Sequence, residues 1–308
     1  MYGEAWVGGT IVDLSITENN QELYYVIAIS EVTGNGSDTI TFGDCYWGGK
    51  KVVFNADGYN VDSLLDESTG VSDTTVAGKL QFYFYKNGSN NPTNTSQTAI
   101  TVMNTSGLVY KWDATKLMTN TAFVIVHLTY SQTANIRGLE QTKFKVINSR
   151  TDTGDVFYDY LTNTRYGAGI PSTQIDSTSL SALNTYSNQS FTYTDYNGVT
   201  TTQPRFMFNG VVDTSRSVMD NLQDMASCCD CLIKVSNLVI KFEQKLFSGV
   251  KISNGFNISL KSVCNFCGAD YIDPDQKHYN SLQVLNFQHY INKHLGELPC
   301  QDTILKTN

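Results

Sequence analysis

Charge is scarce in this chain of 308 residues: Asp, Glu, Lys and Arg together make up only 16% of it. The formal net charge of −8 is spread without a basic stripe. Nothing supplies the phosphate neutralisation on which nucleic-acid binders depend, and recognition of nucleic-acid sequence is not expected. No run of 18 apolar residues occurs, which excludes a transmembrane helix of ordinary length. The opening Met1-Tyr2-Gly3-Glu4-Ala5-Trp6 lacks the basic and apolar regions of a secretory signal, so a soluble protein made in the cytoplasm is expected. There is no internal repeat of solenoid length, and no Gly-x-Ser-x-Gly elbow, P-loop or dinucleotide fingerprint. Neither catalytic residues nor a cofactor are expected.

What is plentiful is Thr, Ser, Asn, Tyr and Gly over an apolar fraction of 41%, enough to bury real cores. This balance suits sheets with polar outer faces joined by many turns, and the expected fold class is mainly β with a few α-helices, an α+β chain. Three parts are expected: a β-rich domain with loop insertions over 1–150, a mixed α/β domain over 151–250, and a returning strand with a C-terminal tail over 251–308.

Glu4-Ala5-Trp6-Val7 and Thr10-Ile11-Val12-Asp13 flank Gly8-Gly9, which predicts an opening hairpin. The apolar runs at 23–29, 51–54, 80–85 and 123–130 predict core strands, and the alternation over 141–146 predicts a half-solvated one. Residues 87–97 are almost wholly Asn, Gly, Ser, Thr and Pro and predict an exposed loop, while Gly154 marks a boundary. Val156, Phe157, Tyr160 and Leu161 then share one face of a helix that Asp155 can cap and Gly167 can end. A short helix is expected at 179–183, and Asn197-Gly198 predicts a hairpin between 191–194 and 199–201. The most helical stretch is an amphipathic helix about 213–229, on which Val218, Leu222, Met225 and Cys229 recur on one side. A last hairpin is expected around Ser236-Asn237.

Four segments carry a resemblance. They are Tyr2-Gly3-Glu4-Ala5-Trp6-Val7-Gly8-Gly9, then Asp155-Val156-Phe157-Tyr158-Asp159-Tyr160-Leu161-Thr162-Asn163-Thr164-Arg165-Tyr166-Gly167-Ala168-Gly169, then residues 208–226 from Phe208-Asn209-Gly210 to Asp224-Met225-Ala226, and Asn265-Phe266-Cys267-Gly268-Ala269-Asp270-Tyr271-Ile272-Asp273-Pro274-Asp275. In this order they resemble the central tail hub proteins of long-tailed bacteriophages, the tip-attachment protein J family. The resemblance implies β-barrel-like hub domains assembled as a homotrimer around the tail axis. It implies a virion structural protein of the tail tip, assembled in the bacterial host cytoplasm, that closes the tube and joins it to fibres or a spike. The implied partners are the distal tail, tape-measure and other tail-tip proteins and a host surface receptor. Members of that family extend further at both ends, and residues after about 290 match none of them, which points to a split or truncated hub subunit.

Five of the seven cysteines fall between Cys228 and Cys267, with C-x-x-C spacings at Cys228–Cys231 and Cys264–Cys267 that could supply thiolates to zinc or an iron–sulfur cluster. The alternative is reduced cysteine packing as a small hydrophobe, and it is preferred because Cys229 lies on an apolar helix face. No metal ligand is therefore assigned. His127 sits in an apolar run, and His278, His289 and His294 lack a recognised ligand spacing. Asp220 and Asp224 could do acid–base work on a glycan, but a solvated helix face explains them. Arg165-Tyr166 read equally as an interface anchor or as a helix closing on Gly167. The aromatic residues Phe82-Tyr83-Phe84-Tyr85, Tyr110 and Trp112 keep open a glycan-binding or glycan-degrading tail module as the alternative function.

Overall fold

The structure is a computed structural model and describes residues 1–194, 197–236, 239–244, 262–263 and 270–271. The chain divides into two compact units, one of Met1–Cys229 with Val235–Lys241 and the other of Asp230–Lys234 with Phe242–Asn308. In the second unit Ser262 pairs with Tyr271 and Val263 with Asp270 in an antiparallel ladder.

Ten strands build the first part of the chain. They are β1 (Glu4–Val7), β2 (Thr10–Ile16), β3 (Glu22–Glu31), β4 (Ile40–Trp47) and β5 (Lys50–Phe54), followed by β6 (Val61–Asp66), β7 (Val71–Asp73), β8 (Leu80–Tyr85), β9 (Thr121–Thr129) and β10 (Thr142–Asn148). One antiparallel sheet runs β1-β10-β4-β5-β6-β7 and the other β2-β3-β9-β8. Their inner faces share one core, in which Phe82, Phe84, Val124 and Val126 meet Trp47, Val52, Phe144 and Val146. The Phe82 and Phe144 rings lie 6.3 Å apart and edge-on, a contact worth about 1 kcal/mol beyond the area it buries. The four-stranded sheet is covered on its outer face too, where Tyr24, Tyr83, Tyr85, Phe123 and Ile125 pack under Ala99, Val102, Met103, Leu108 and Trp112. Burial on both faces explains why β8 and β9 read as unbroken apolar runs. The chain is thus mainly β with few helices, as its composition predicts, and among the described residues no sheet closes into a barrel.

The expected opening hairpin does not form. β1 pairs with β10, whereas β2 pairs with β3, so Gly8-Gly9 carries the chain from one sheet to the other. Gly9 has φ +74°, and a Cβ there would come within 2.8 Å of the Ala28 carbonyl oxygen. The glycine pair serves a tight corner with close backbone approach, a demand that a local turn signal does not distinguish from a hairpin. Residues 87–97 are likewise not a free loop, because Ser89 is buried and Asn94 is tied to the edge of β8.

Among the described residues the α-helices are two single turns, α1 (Thr33–Gly36) and α2 (Ala99–Val102), and three longer ones, α3 (Thr153–Thr162), α4 (Ser177–Ser187) and α5 (Val218–Cys228). Gly154 lies inside α3, where a Cβ would strike the Leu180 carbonyl oxygen of α4. Asp155 does not cap α3. Asn184 reaches across from α4 instead, its Oδ1 accepting from the Gly154 N–H and its Nδ2 donating to Asp155 Oδ1. Helix α5 begins at 218, not near 213. Asp213 Oδ1 accepts from the Ser215 N–H and Ser217 Oγ from the Asp220 N–H, so these side chains hold the preceding backbone in a turn and an N-cap. The Asn-Gly hairpin is present as β11 (Ser190–Thr194) and β12 (Thr200–Pro204), and β13 (Cys231–Ser236) and β14 (Val239–Gln244) form a further two-stranded sheet.

Candidate functional site

Three of the segments quoted above meet at one seam. Tyr2 and Gly210 exchange both backbone hydrogen bonds at 2.9 Å, and the Tyr2 ring stands edge-on to Phe208. The Tyr2 hydroxyl donates to Asp159 Oδ2 at 2.9 Å, the Tyr166 hydroxyl donates to the same oxygen at 2.7 Å, and the Gly34 N–H donates to Oδ1 at 2.8 Å. Asp159 is buried, so these three donors replace the water that its carboxylate gives up. Burial, and then the neighbouring carboxylate, push the hydroxyls of Tyr2 and Tyr166 far above the usual phenol range. On α5, Asn221 Nδ2 donates to the Tyr160 hydroxyl at 3.0 Å, which ties α5 to α3.

The seam continues through Asn148, whose Nδ2 donates to Thr33 Oγ1 at 2.8 Å and whose Oδ1 accepts from the Arg150 N–H. Arg150 grips Asp38 with two bonds, of 2.7 and 3.1 Å. Burial works to lower its guanidinium, but the bonds to Asp38 hold it above the ordinary arginine value. This arrangement fixes loops and helices to the end of the sheets. The exposed guanidinium of Arg165 pairs with Glu31 at 3.1 Å on the rim of a cleft of about 370 Å³, and burial raises the Glu31 carboxyl although Arg165 opposes the shift. Asn163 Oδ1 accepts from the Arg165 and Tyr166 N–H groups, and Gly167 closes onto the Tyr160 carbonyl, so the helix stop and the buried tyrosine are one device.

The sheet edges differ in how they are finished. At β8, Asn94 Oδ1 accepts from the Phe84 N–H while Asn94 Nδ2 donates to the Phe82 carbonyl, and Tyr59 and Thr93 fill the neighbouring positions. At β2, Ile11, Val12 and Leu14 are exposed, and Val109 and Tyr110 beside them are exposed as well.

Of the aromatic residues singled out for glycan contact, Tyr110 is 68% exposed, but Phe82, Tyr83, Phe84, Tyr85 and Trp112 are buried. Trp112 Nε1 donates to Asp13 Oδ2 at 2.8 Å. His127 stacks on Tyr24, with Nδ1 2.7 Å from Gln81 Oε1 and Nε2 3.1 Å from Glu22 Oε2. Burial lowers its imidazole below the ordinary value of 6.5 despite Glu22. Asp220 and Asp224 lie on the exposed side of α5, bonded to Ser217 and Arg216. Cys229 is buried with its thiol against the carbonyls of Met225 and Ala226, Cys228 is exposed and Cys231 buried. Among the described residues no three His, Cys, Asp or Glu side chains gather as a metal site. Cys264, Cys267, His278, His289 and His294 lie outside the described residues, as does all of the fourth resembling segment except Asp270 and Tyr271.

The sequence reading missed Asp159 and Asn221 as organising residues. Each is a polar residue among apolar ones on the inward side of a helix, Asp159 three after Val156 and Asn221 one before Leu222, and that mismatch is the signal that could have found them. No protein-family model matches this chain, and no curated protein matches it.

Proposed function

We propose that this chain is a structural subunit of a bacteriophage tail tip: a central hub polypeptide, without catalysis of its own, that assembles as a homotrimer and closes the tail tube. In this reading it belongs to the virion tail tip, is assembled in the host cytoplasm, and joins the tube to the tape measure, to neighbouring tip proteins and to fibres or a spike during attachment and genome delivery. In this reading the two sheets, linked by the Gly8-Gly9 corner and the Asn60–Gln81 bridge, would serve as the hub domain. The observation that carries the reading is the seam. Three segments that resemble the hub family are distant in sequence, yet they join through Tyr2, Asp159, Tyr166 and Asn221. In this reading they form one structural part, a fixed joint suited to transmitting force.

A ring of this kind buries about 2,000 Å² or more at each interface. Native mass spectrometry and sedimentation of the full chain at about 100 µM should show trimers, because mass action favours the assembly at that concentration. Replacing Ile11 and Leu14 by Asp should shift the population toward monomer with unchanged circular dichroism. A chain that stays monomeric under these conditions contradicts the proposal.

A further inference from the structure

A second surface, on the outer face of the six-stranded sheet, carries chemistry that the hub reading does not use. Trp6 is 47% exposed there, whereas Trp47 and Trp112 are each 4% exposed. Its ring meets that of Tyr46 at 5.3 Å and an interplanar angle of 68°. The Tyr46 hydroxyl donates to Glu67 Oε2 at 2.7 Å, which holds that ring in place. The two rings line a groove of about 710 Å³ together with Gln141, Thr142, Lys143 and the glycines Gly8 and Gly49. Lys143 is the cross-strand partner of Tyr46 and so shares its face.

The charges of this face single out Lys143. Lys145 pairs with Glu4 at 2.8 Å, Lys51 with Asp44 at 2.7 Å and Lys50 with Asp73 at 3.9 Å. Among the described residues Lys143 has no such carboxylate partner, although it is exposed beside the aromatic pair. The groove therefore offers an aromatic pair, an amide that both donates and accepts, and one cation that makes no salt bridge, beside a Tyr46 hydroxyl that is already bonded to Glu67. The complementary molecule has an apolar ring face, a rim of hydroxyls and one carboxylate.

We propose that the Trp6–Tyr46 groove is a saccharide-binding site for a uronate-bearing sugar, whose ring packs on Trp6 while its carboxylate meets Lys143. Binding alone is assigned, with no bond made or broken. The test uses the full chain titrated with trigalacturonate and, separately, with neutral maltotriose, read by tryptophan emission and by calorimetry. Trp6 is the exposed indole, so the long-wavelength emission reports on this groove. A saturable blue shift with trigalacturonate is expected, with maltotriose weaker by about tenfold, the loss of roughly one charge-assisted contact. Lys143→Gln should abolish that preference, and Trp6→Ala should abolish calorimetric binding of both sugars while circular dichroism stays unchanged. Tyr46→Phe keeps the ring but frees it from Glu67, and should weaken both sugars without altering the preference. The proposal is overturned by the absence of saturable binding of trigalacturonate to the folded chain, or by equal affinity for the two sugars. Binding that is indifferent to Trp6→Ala also overturns it. So does loss of oligomers with Trp6→Ala at unchanged sugar affinity, which would make this face a contact between copies.

Discussion

Asp159 concentrates in one side chain what holds the first unit together. Two of its three donors come from residues 157 and 125 positions away along the chain, so deleting the carboxylate loosens contacts between distant segments. Asp159→Ala leaves the buried Tyr2 phenol, the half-buried Tyr166 phenol and the half-buried Gly34 N–H without this acceptor, and we expect a loss of about 3 kcal/mol, seen as a fall of roughly 6 to 12 °C in the thermal midpoint. Tyr2→Phe should cost about 1 kcal/mol, and the double variant should cost less than the sum, since the two share one bond. His127 makes a prediction in pH. Its folded-state value lies below 6.5, so between the two values the unfolded chain binds the extra proton, and stability rises with pH across that window. Urea midpoints should be full above pH 6.5 and fall as the solution is acidified toward pH 5, and His127→Gln should flatten that part of the profile. A wild-type midpoint constant from pH 7 to 5 would refute the assignment. Neither residue could be read from its neighbourhood in the sequence. An aspartate within a helix looks solvated until the chain folds Tyr2 over it, and a histidine in an apolar strand shows nothing of Glu22 or Gln81 on the adjacent strands.

Strands and helices were more legible than their pairings. The runs at 23–29, 80–85 and 123–130 become β3, β8 and β9 because β-branched and aromatic residues fit sheets buried on both faces. β4 was not anticipated, since Thr41, Gly43 and Asp44 interrupt its apolar pattern on the outward side. Pairing depends on distant strands, and so Gly8-Gly9 announced a turn without revealing that its two arms belong to different sheets. Glycine makes the same point quantitatively. Gly167→Ala would drive a methyl into the Tyr160 carbonyl and should cost at least about 2 kcal/mol, whereas Gly138→Ala meets nothing within 4 Å and should stay within about 0.5 kcal/mol of wild type. Equal denaturation midpoints for the two variants would contradict this account of the α3 terminus.

At the scale of the whole molecule, low charge with abundant Thr, Ser, Asn and Tyr was enough to give a mainly β chain, because such residues satisfy turns and outer sheet faces without ion pairs. Composition holds no information on closure, and the two sheets share their core without joining into a barrel. The finish of the β8 rim has a consequence for how copies of this chain coexist at high concentration. Asn94 imitates a neighbouring strand with a single amide, so a second chain finds no vacant ladder there on which to lay its own backbone. Removing that amide with Asn94→Ala should raise thioflavin-positive fibre formation above that of the unaltered chain under the same conditions. The Asn94 carboxamide, with Tyr59 and Thr93 on either side of it, thereby guards this rim against the open-ended stacking to which sheet proteins are prone.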